Sequence, residues 1–300
     1  MSERRLRAWV YPQDAFAAPA NCRRGEMSLD ADWVARAEDA DVLLVPYDAG
    51  ILYDSGFEWA SLPLWRARER DHLLIHTSDY TRALSVEAIV IRVSVLSNIL
   101  GTDKRTIGWC GTAWDHGDLV GIPPGGFRFD ATLRAFYNDL RRNVVNSCAW
   151  SKINLDWQLN QEFHGYIEAT ELGKRRRQEF LEGIRYSRIV IAPRSGAAST
   201  YRFFEAMSAG RPCVWLSDGY VPPRRPGLDW STFSWQWPED DVVNVGILLN
   251  GILKSHTDEQ LVARGKLARA AWERWFHIDR WPALMAEQIV ALLKKEGRFA

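Results

Sequence analysis

The sequence is short of the features that mark several large functional classes. It carries no excess charge of either sign: Lys plus Arg and Asp plus Glu both total 38 in 300 residues, for a formal net charge of zero. Surfaces that track a phosphate backbone normally show as a basic excess, so no nucleic acid is expected as partner. No uninterrupted apolar run approaches the ~20 residues of a membrane span, and the charged start Met1-Ser2-Glu3-Arg4-Arg5-Leu6-Arg7 has no apolar region of signal-peptide type. A cytoplasmic chain without an integral membrane segment is expected. Cysteine is scarce: Cys22, Cys110, Cys148 and Cys213 are too scattered for a zinc knuckle and too few for a disulfide framework, and are read as reduced and mostly buried. No Gly-x-Gly-x-x-Gly follows the first strand-like stretch, which weakens a nicotinamide-dependent oxidoreductase. No strand-terminal Asp-x-Asp pair of metal-dependent type stands out, since Asp30-Ala-Asp32 precedes a helical pattern and reads as an N-cap. No metal and no cofactor are expected.

What is present is globular: 47% hydrophobic and 25% charged residues. The length suits two α/β domains. The fifteen tryptophans are read mainly as packing residues. In the first third, Leu6 to Tyr11, Val42 to Pro46, His72 to His76 and Ile89 to Val93 read as strands, with helical patterns at Asp30 to Glu38 and Phe57 to Arg70. Continuous apolar strands separated by amphipathic stretches indicate a parallel sheet covered on both faces. Gly and Pro crowd the stretch from Ile107 to Phe129, which breaks regular structure and places the domain junction there: residues 1–125 as one Rossmann-like unit, 126–300 as a second. Beyond it, Ala131 to Val145 and Gly173 to Tyr186 read as helices, and Trp281 to Lys295 as a last helix able to pack back on the first domain. The Lys174-Arg175-Arg176-Arg177 run reads as a solvated helix face.

The sharpest signal is a βαβ unit: strand Arg188 to Pro193, helix Ser199 to Ala209, strand Cys213 to Ser217. The turn Pro193-Arg194-Ser195-Gly196-Ala197-Ala198-Ser199-Thr200 lies where open α/β sheets bind ligands, and free backbone N–H groups there favour an anion. Small residues let a diphosphate approach the backbone. Arg194 suits a bidentate phosphate contact, and Ser199 or Thr200 suits a cap or a donor to an anion. On the helix, Arg202 and Glu205 share a face. Glu205 is the right type to accept two ribose hydroxyls, or to pair with Arg202; spacing leaves both open. Phe203 and Met207 belong to the core, and Gly210 and Pro212 end the helix.

The run from Tyr186 to Asp218, with Ala-Pro-Arg-Ser-Gly-Ala-Ala-Ser-Thr-Tyr-Arg-Phe-Phe-Glu-Ala-Met-Ser-Ala-Gly at its centre, resembles the exostosin-type glycosyltransferases, glycosyltransferase family 47. Leu228-Asp-Trp-Ser-Thr-Phe-Ser234 is similar to a second stretch of that family, and Ala40-Asp-Val-Leu-Leu-Val-Pro46 to its Ala-Asp-(apolar)-Pro strand. Ser195 stands where the family has glycine, and Arg211-Pro-Cys replaces its common Cys-Ile-Pro. The resemblance implies a GT-B fold of two Rossmann-like domains facing a cleft, and inverting, metal-independent transfer from a nucleotide-sugar donor, with a UDP-sugar favoured. The acceptor it implies is a glycan or other hydroxyl. It assigns Arg194 to phosphate, Arg202 to the helix arginine and Glu205 to ribose; Ser195, Gly196, Ser199 and Thr200, read from their place in the turn, complete the candidate nucleotide-sugar-binding set. The second glutamate that many retaining enzymes of this fold carry eight positions on is replaced by Cys213. Inverting transfer needs a general base, for which Asp48, Asp54, His76 and Asp79 follow strand ends, Asp79 being favoured. The rival reading is a non-catalytic nucleotide-sugar or carbohydrate binder.

Overall fold

The computed structural model describes residues 4–19, 22, 28–77, 83–110, 113–161 and 170–299. The first part of the chain lays down β1 (Arg7–Val10), β2 (Asp32–Trp33), β3 (Val42–Asp48), α1 (Ala49–Asp54), α2 (Trp65–Arg68), β4 (His72–His76), β5 (Ile89–Arg92), α3 (Ser97–Thr102) and β6 (Thr106–Gly108). The second part adds β7 (Phe129–Phe136), α4 (Asp139–Trp150), β8 (Leu155–Asn160), α5 (Glu171–Tyr186), β9 (Ser187–Pro193), α6 (Tyr201–Ser208) and β10 (Cys213–Leu216). It closes with β11 (Ser234–Trp237), α7 (Val245–Ser255), α8 (Asp258–Trp275) and α9 (Trp281–Lys295). The strands form two sheets, ordered β2-β1-β3-β4-β5-β6 and β11-β10-β9-β7-β8. Every pairing in both is parallel. This is the α/β class with two Rossmann-like sheets that the apolar strands imply, because a parallel sheet needs cover on both faces.

Strand alternation sends residues to three cores. Leu43, Val45, Leu74 and Val90 pack with Leu52, Leu62 and Trp65 on one face of the first sheet. Leu133, Ile191 and Val214 pack with Val144 and Cys148 of α4 and Leu249 of α7 on one face of the second. The remaining faces share a single cluster, in which Leu44, Leu73 and Ile89 are continuous with Val190, Ala192, Phe203, Phe204 and Trp272. Helix α9 joins this cluster through Leu284, Met285, Ile289 and Leu293. Just beyond α9, Glu296 accepts from Arg105 Nε and Nη2, at 2.7 and 2.8 Å. None of the four cysteines forms a disulfide among the described residues, and Cys110, Cys148 and Cys213 are buried.

Three helical expectations are corrected. Asp32-Trp33 is an edge strand, its N–H groups and those that follow engaging the carbonyls of Leu6 and Ala8, and Asp30 and Asp32 pair with Arg5 rather than capping a helix. From Phe57 to Arg70 the chain forms only short turns around α2, because Pro63 cannot continue a helical ladder. Ala131 to Phe136 is not helical but lies in β7, the strand between β8 and β9. Its helix begins after Asn138, whose side chain accepts from Arg141 N at 2.8 Å.

Gly265 of α8 lies tight against the end of α6: a Cβ there would lie 2.0 Å from the Gly210 carbonyl oxygen. Backbone cannot yield as a side chain end can, so Gly265→Ala is expected to lower stability by about 1–3 kcal/mol or more, read as a reduced midpoint in thermal or urea melts.

Candidate functional site

Because all strands run parallel, their carboxyl ends gather at one edge of each sheet, and the two edges meet. Ser97 N donates to Gly219 O at 2.9 Å, Val221 N to Val95 O at 2.8 Å and Ser199 N to the Ser94 hydroxyl at 3.2 Å. The turn after β9 therefore sits at the joint.

Arg194 N donates to Leu216 O, fixing the start of that turn against β10. The Arg194 guanidinium is part-exposed; Nε donates to Glu239 at 2.6 Å and Nη1 to Ser195 O at 3.0 Å, and among the described residues Nη2 has no acceptor. Glu239 also accepts from Asp218 N at 2.8 Å, so one carboxylate holds the ends of β9 and β10 together. Among the described residues, the N–H groups of Gly196, Ala197 and Ala198 have no acceptor. Gly196 is exposed, has no left-handed φ, and a Cβ on it would meet nothing within 4 Å. Neither backbone conformation nor packing requires glycine there. Thr200 occupies the N-cap of α6, yet its hydroxyl makes no capping bond.

Arg202 and Glu205 lie deeper. The Glu205 carboxylate is 1% exposed and stands 3.2 Å from Arg202 Nη1, a contact not aligned for hydrogen bonding, so neither carboxylate oxygen has a donor. Arg202 donates through Nη2 to Arg134 O and lies 4.0 Å over the Phe180 ring. Burial pushes the Glu205 carboxyl up to about 8. Phe203 and Met207 are core residues and Gly210 ends α6 at φ +61, both as the helix pattern implies. The Leu228–Ser234 stretch is structural: Asp229 caps a single turn, and Trp230 packs 5.3 Å from Phe203 and 5.6 Å from Phe276.

On the first sheet's edge, Asp48, Asp54 and His76 come together at the ends of β3 and β4. Asp48 accepts from Ile51 N at 3.0 Å and from both Thr77 N and Thr77 Oγ1 at 2.6 Å. His76 is buried, and burial together with the Arg92 charge holds it down at about 4. Asp54 is exposed at the end of α1. Asp79 lies outside the described residues. Among the described residues no group of three His, Cys, Asp or Glu is placed to hold a metal ion.

Three residues at these edges have no advertised motif. Arg92 ends β5 fully buried, paired with Asp103, which also accepts from Leu84 N and Ser85 N at 2.9 Å. Asn138 and Arg141 reach from α4 to the carbonyls at the end of β9. The N-cap position of Asn138 ahead of Arg141 was the available signal. A surface depression of about 330 Å3 lined by Gln178, Leu181, Glu182, Arg185 and Tyr186 lies at the far end of α5, where β9 begins, away from all of these groups.

Fold and site thus define an α/β protein whose two Rossmann-like sheets meet at their carboxyl edges, the arrangement of the GT-B type. No protein-family model and no curated protein sequence matches the chain. Among solved structures, it is similar to a glycosyltransferase from Rickettsia africae ESF-5, with 11% identity over 86% of this chain and 77% of that one, at a TM-score of 0.48. It is also similar to the GtfA/B complex, with 9% identity over 85% of this chain and 57% of that one, at a TM-score of 0.44.

A carboxyl whose folded value is raised to about 8 from the ordinary 4.5 makes the folded chain hold a proton that the unfolded chain has lost. Its contribution therefore favours folding below the unfolded value and turns against it as pH rises toward about 8. Glu205→Gln is expected to change stability little at pH 4.5 and to raise it at pH 8 by on the order of 1–3 kcal/mol, the cost of a buried unsatisfied group. Urea melts at both values check this; a loss at pH 8 instead means that the ion pair with Arg202 prevails.

Proposed function

We propose that this protein is an exostosin-like glycosyltransferase of GT-B type, a hexosyl- or pentosyltransferase working in the cytoplasm. It moves a sugar from a nucleotide-sugar, UDP-sugar favoured, to a hydroxyl of a glycan acceptor. The observation that carries the reading is the turn Arg194–Thr200, where unsatisfied N–H groups and an open glycine lie at the meeting edges of two parallel sheets. Glycine whose side is open and whose conformation is ordinary is what close approach of a ligand to the backbone uses. The diphosphate is met there by N–H groups of Gly196 to Ala198, by Ser195, Ser199 and Thr200, and by the free edge of Arg194.

Glu205 enters as the ribose ligand through the sequence resemblance. Its carboxylate is enclosed beside Arg202, so contact with ribose requires Arg202 to turn aside. In inverting transfer the acceptor oxygen attacks the anomeric carbon as the nucleoside diphosphate leaves; the general base takes the acceptor proton, and the leaving charge falls on the turn. Asp79 keeps its place as base. Of the other candidates, Asp54 has the exposure the task needs, whereas Asp48 is occupied by three donors and His76 is buried. With arginine and N–H groups meeting the phosphates, no metal is required.

Thermal shift with UDP-, GDP- and CMP-sugars checks the donor, with the largest rise expected for a UDP-sugar; no shift with any of them overturns the reading. Donor hydrolysis separates an enzyme from a binder. Transfer is expected to survive EDTA, and loss restored by manganese would remove the metal-independent mechanism. By calorimetry at neutral pH, Arg194→Ala is expected to weaken nucleotide binding by about 1.5–3 kcal/mol, the range for a charge-assisted bond, and Glu205→Gln by about 0.5–1.5 kcal/mol, the range for a neutral one.

A further inference from the structure

Arg141 is a buried cation with no carboxylate. Its side chain is 6% exposed, and among the described residues it forms no ion pair. Nη1 donates to Phe136 O at 2.7 Å and Nη2 to Pro193 O at 3.2 Å, while Nε has no partner. The guanidinium therefore spans the carboxyl ends of β7 and β9, directly beneath the turn that starts at Arg194. Asn138 completes the clamp: its Oδ1 accepts from Arg141 N at 2.8 Å and its Nδ2 donates to Arg194 O at 3.1 Å. A structural arginine is normally neutralised where it is buried, because an uncompensated charge away from water costs several kcal/mol (roughly). Here burial and the neighbouring Arg202 charge lower its value to about 10, which still leaves it a cation at neutral pH. Carbonyl dipoles offset part of the cost. Arg211 and Arg225 are also buried and, among the described residues, met by carbonyls alone; what sets Arg141 apart is its place, against the carbonyl that precedes the Arg194 turn.

We propose that Arg141 is the positioning residue of this anion site, holding the Arg194 turn in place through the two strand-end carbonyls and supplying the positive field beneath it. The proposal rests on the reading of the turn as a phosphate site, and adds that the pyrophosphate group is felt by a residue outside the turn and its helix.

The test compares inorganic pyrophosphate, UDP and uridine, the last being the same nucleoside without charge, on the intact protein by calorimetry at two salt concentrations. Arg141→Gln is expected to weaken pyrophosphate and UDP by about tenfold or more, to flatten their salt dependence, and to leave uridine unchanged. Arg141→Lys, which keeps the charge and gives up the paired carbonyl contacts, is expected to lose less, and carries the test should the glutamine variant fail to fold. Unchanged pyrophosphate affinity in whichever folded variant is measured overturns the proposal, as does an equal loss of uridine and pyrophosphate, the mark of a merely structural role. Failure of the unaltered protein to bind pyrophosphate or UDP overturns the phosphate reading itself, which separates the two.

Discussion

The structure depends on one constraint: both sheets are parallel, so each must bury two faces and must present all its strand ends at one edge. The first requirement calls for helices on every side. The second leaves the loops after the strands as the places where chemistry can collect. Joining two such sheets edge to edge concentrates those loops in one region, where the hydrogen bonds from Ser97, Val221 and Ser199 fix their spacing. Small and polar residues stand in the turn after β9 for that reason, while the inner strands β3, β9 and β10 are largely apolar.

Charge at this junction is handled in two ways. On the first sheet Arg92 is met by Asp103, whose remaining lone pairs hold Leu84 and Ser85, so that buried pair closes on itself. On the second sheet Arg141 and Arg202 lean on carbonyl groups instead, and Arg202's neighbour Glu205 is itself displaced toward its neutral form by burial. Low dielectric magnifies such imbalance. The buried arginine of the first sheet is thus met by a carboxylate, whereas Arg141 of the second has only carbonyl partners among the described residues.

The sequence showed the βαβ unit from Arg188 to Leu216 nearly residue for residue because three independent signals coincide in it: a buried apolar strand, a run of small residues, and a helix ended by Gly210 in the left-handed region. The last helix was equally legible. Phe129 to Phe136 was not, since Ala131, Leu133 and Ala135 suit helix or strand alike and only neighbouring β8 and β9 decide between them. Asp32-Trp33 was lost for the same reason, being too short for any period to show. In the candidate site, the place of Arg194 and Gly196 in the turn just after a strand could be read. Arg141 could not: Asn138 as an N-cap marks where its helix starts, but the arginine's contacts are with carbonyls 5 and 52 residues away, which residue type does not show.

Helix α9 has a consequence for how the chain acquires its shape during synthesis. Its residues Leu284, Met285, Ile289 and Leu293 belong to the same apolar cluster as Leu6, Ala8 and Leu44, so that face of the first sheet is completed only by a segment far along the chain. Non-local closure of this kind slows folding and prolongs exposure of apolar surface. The first sheet thus leaves the ribosome half dressed, and the interval until α9 arrives is when a chaperone or an unwanted neighbour has its opening.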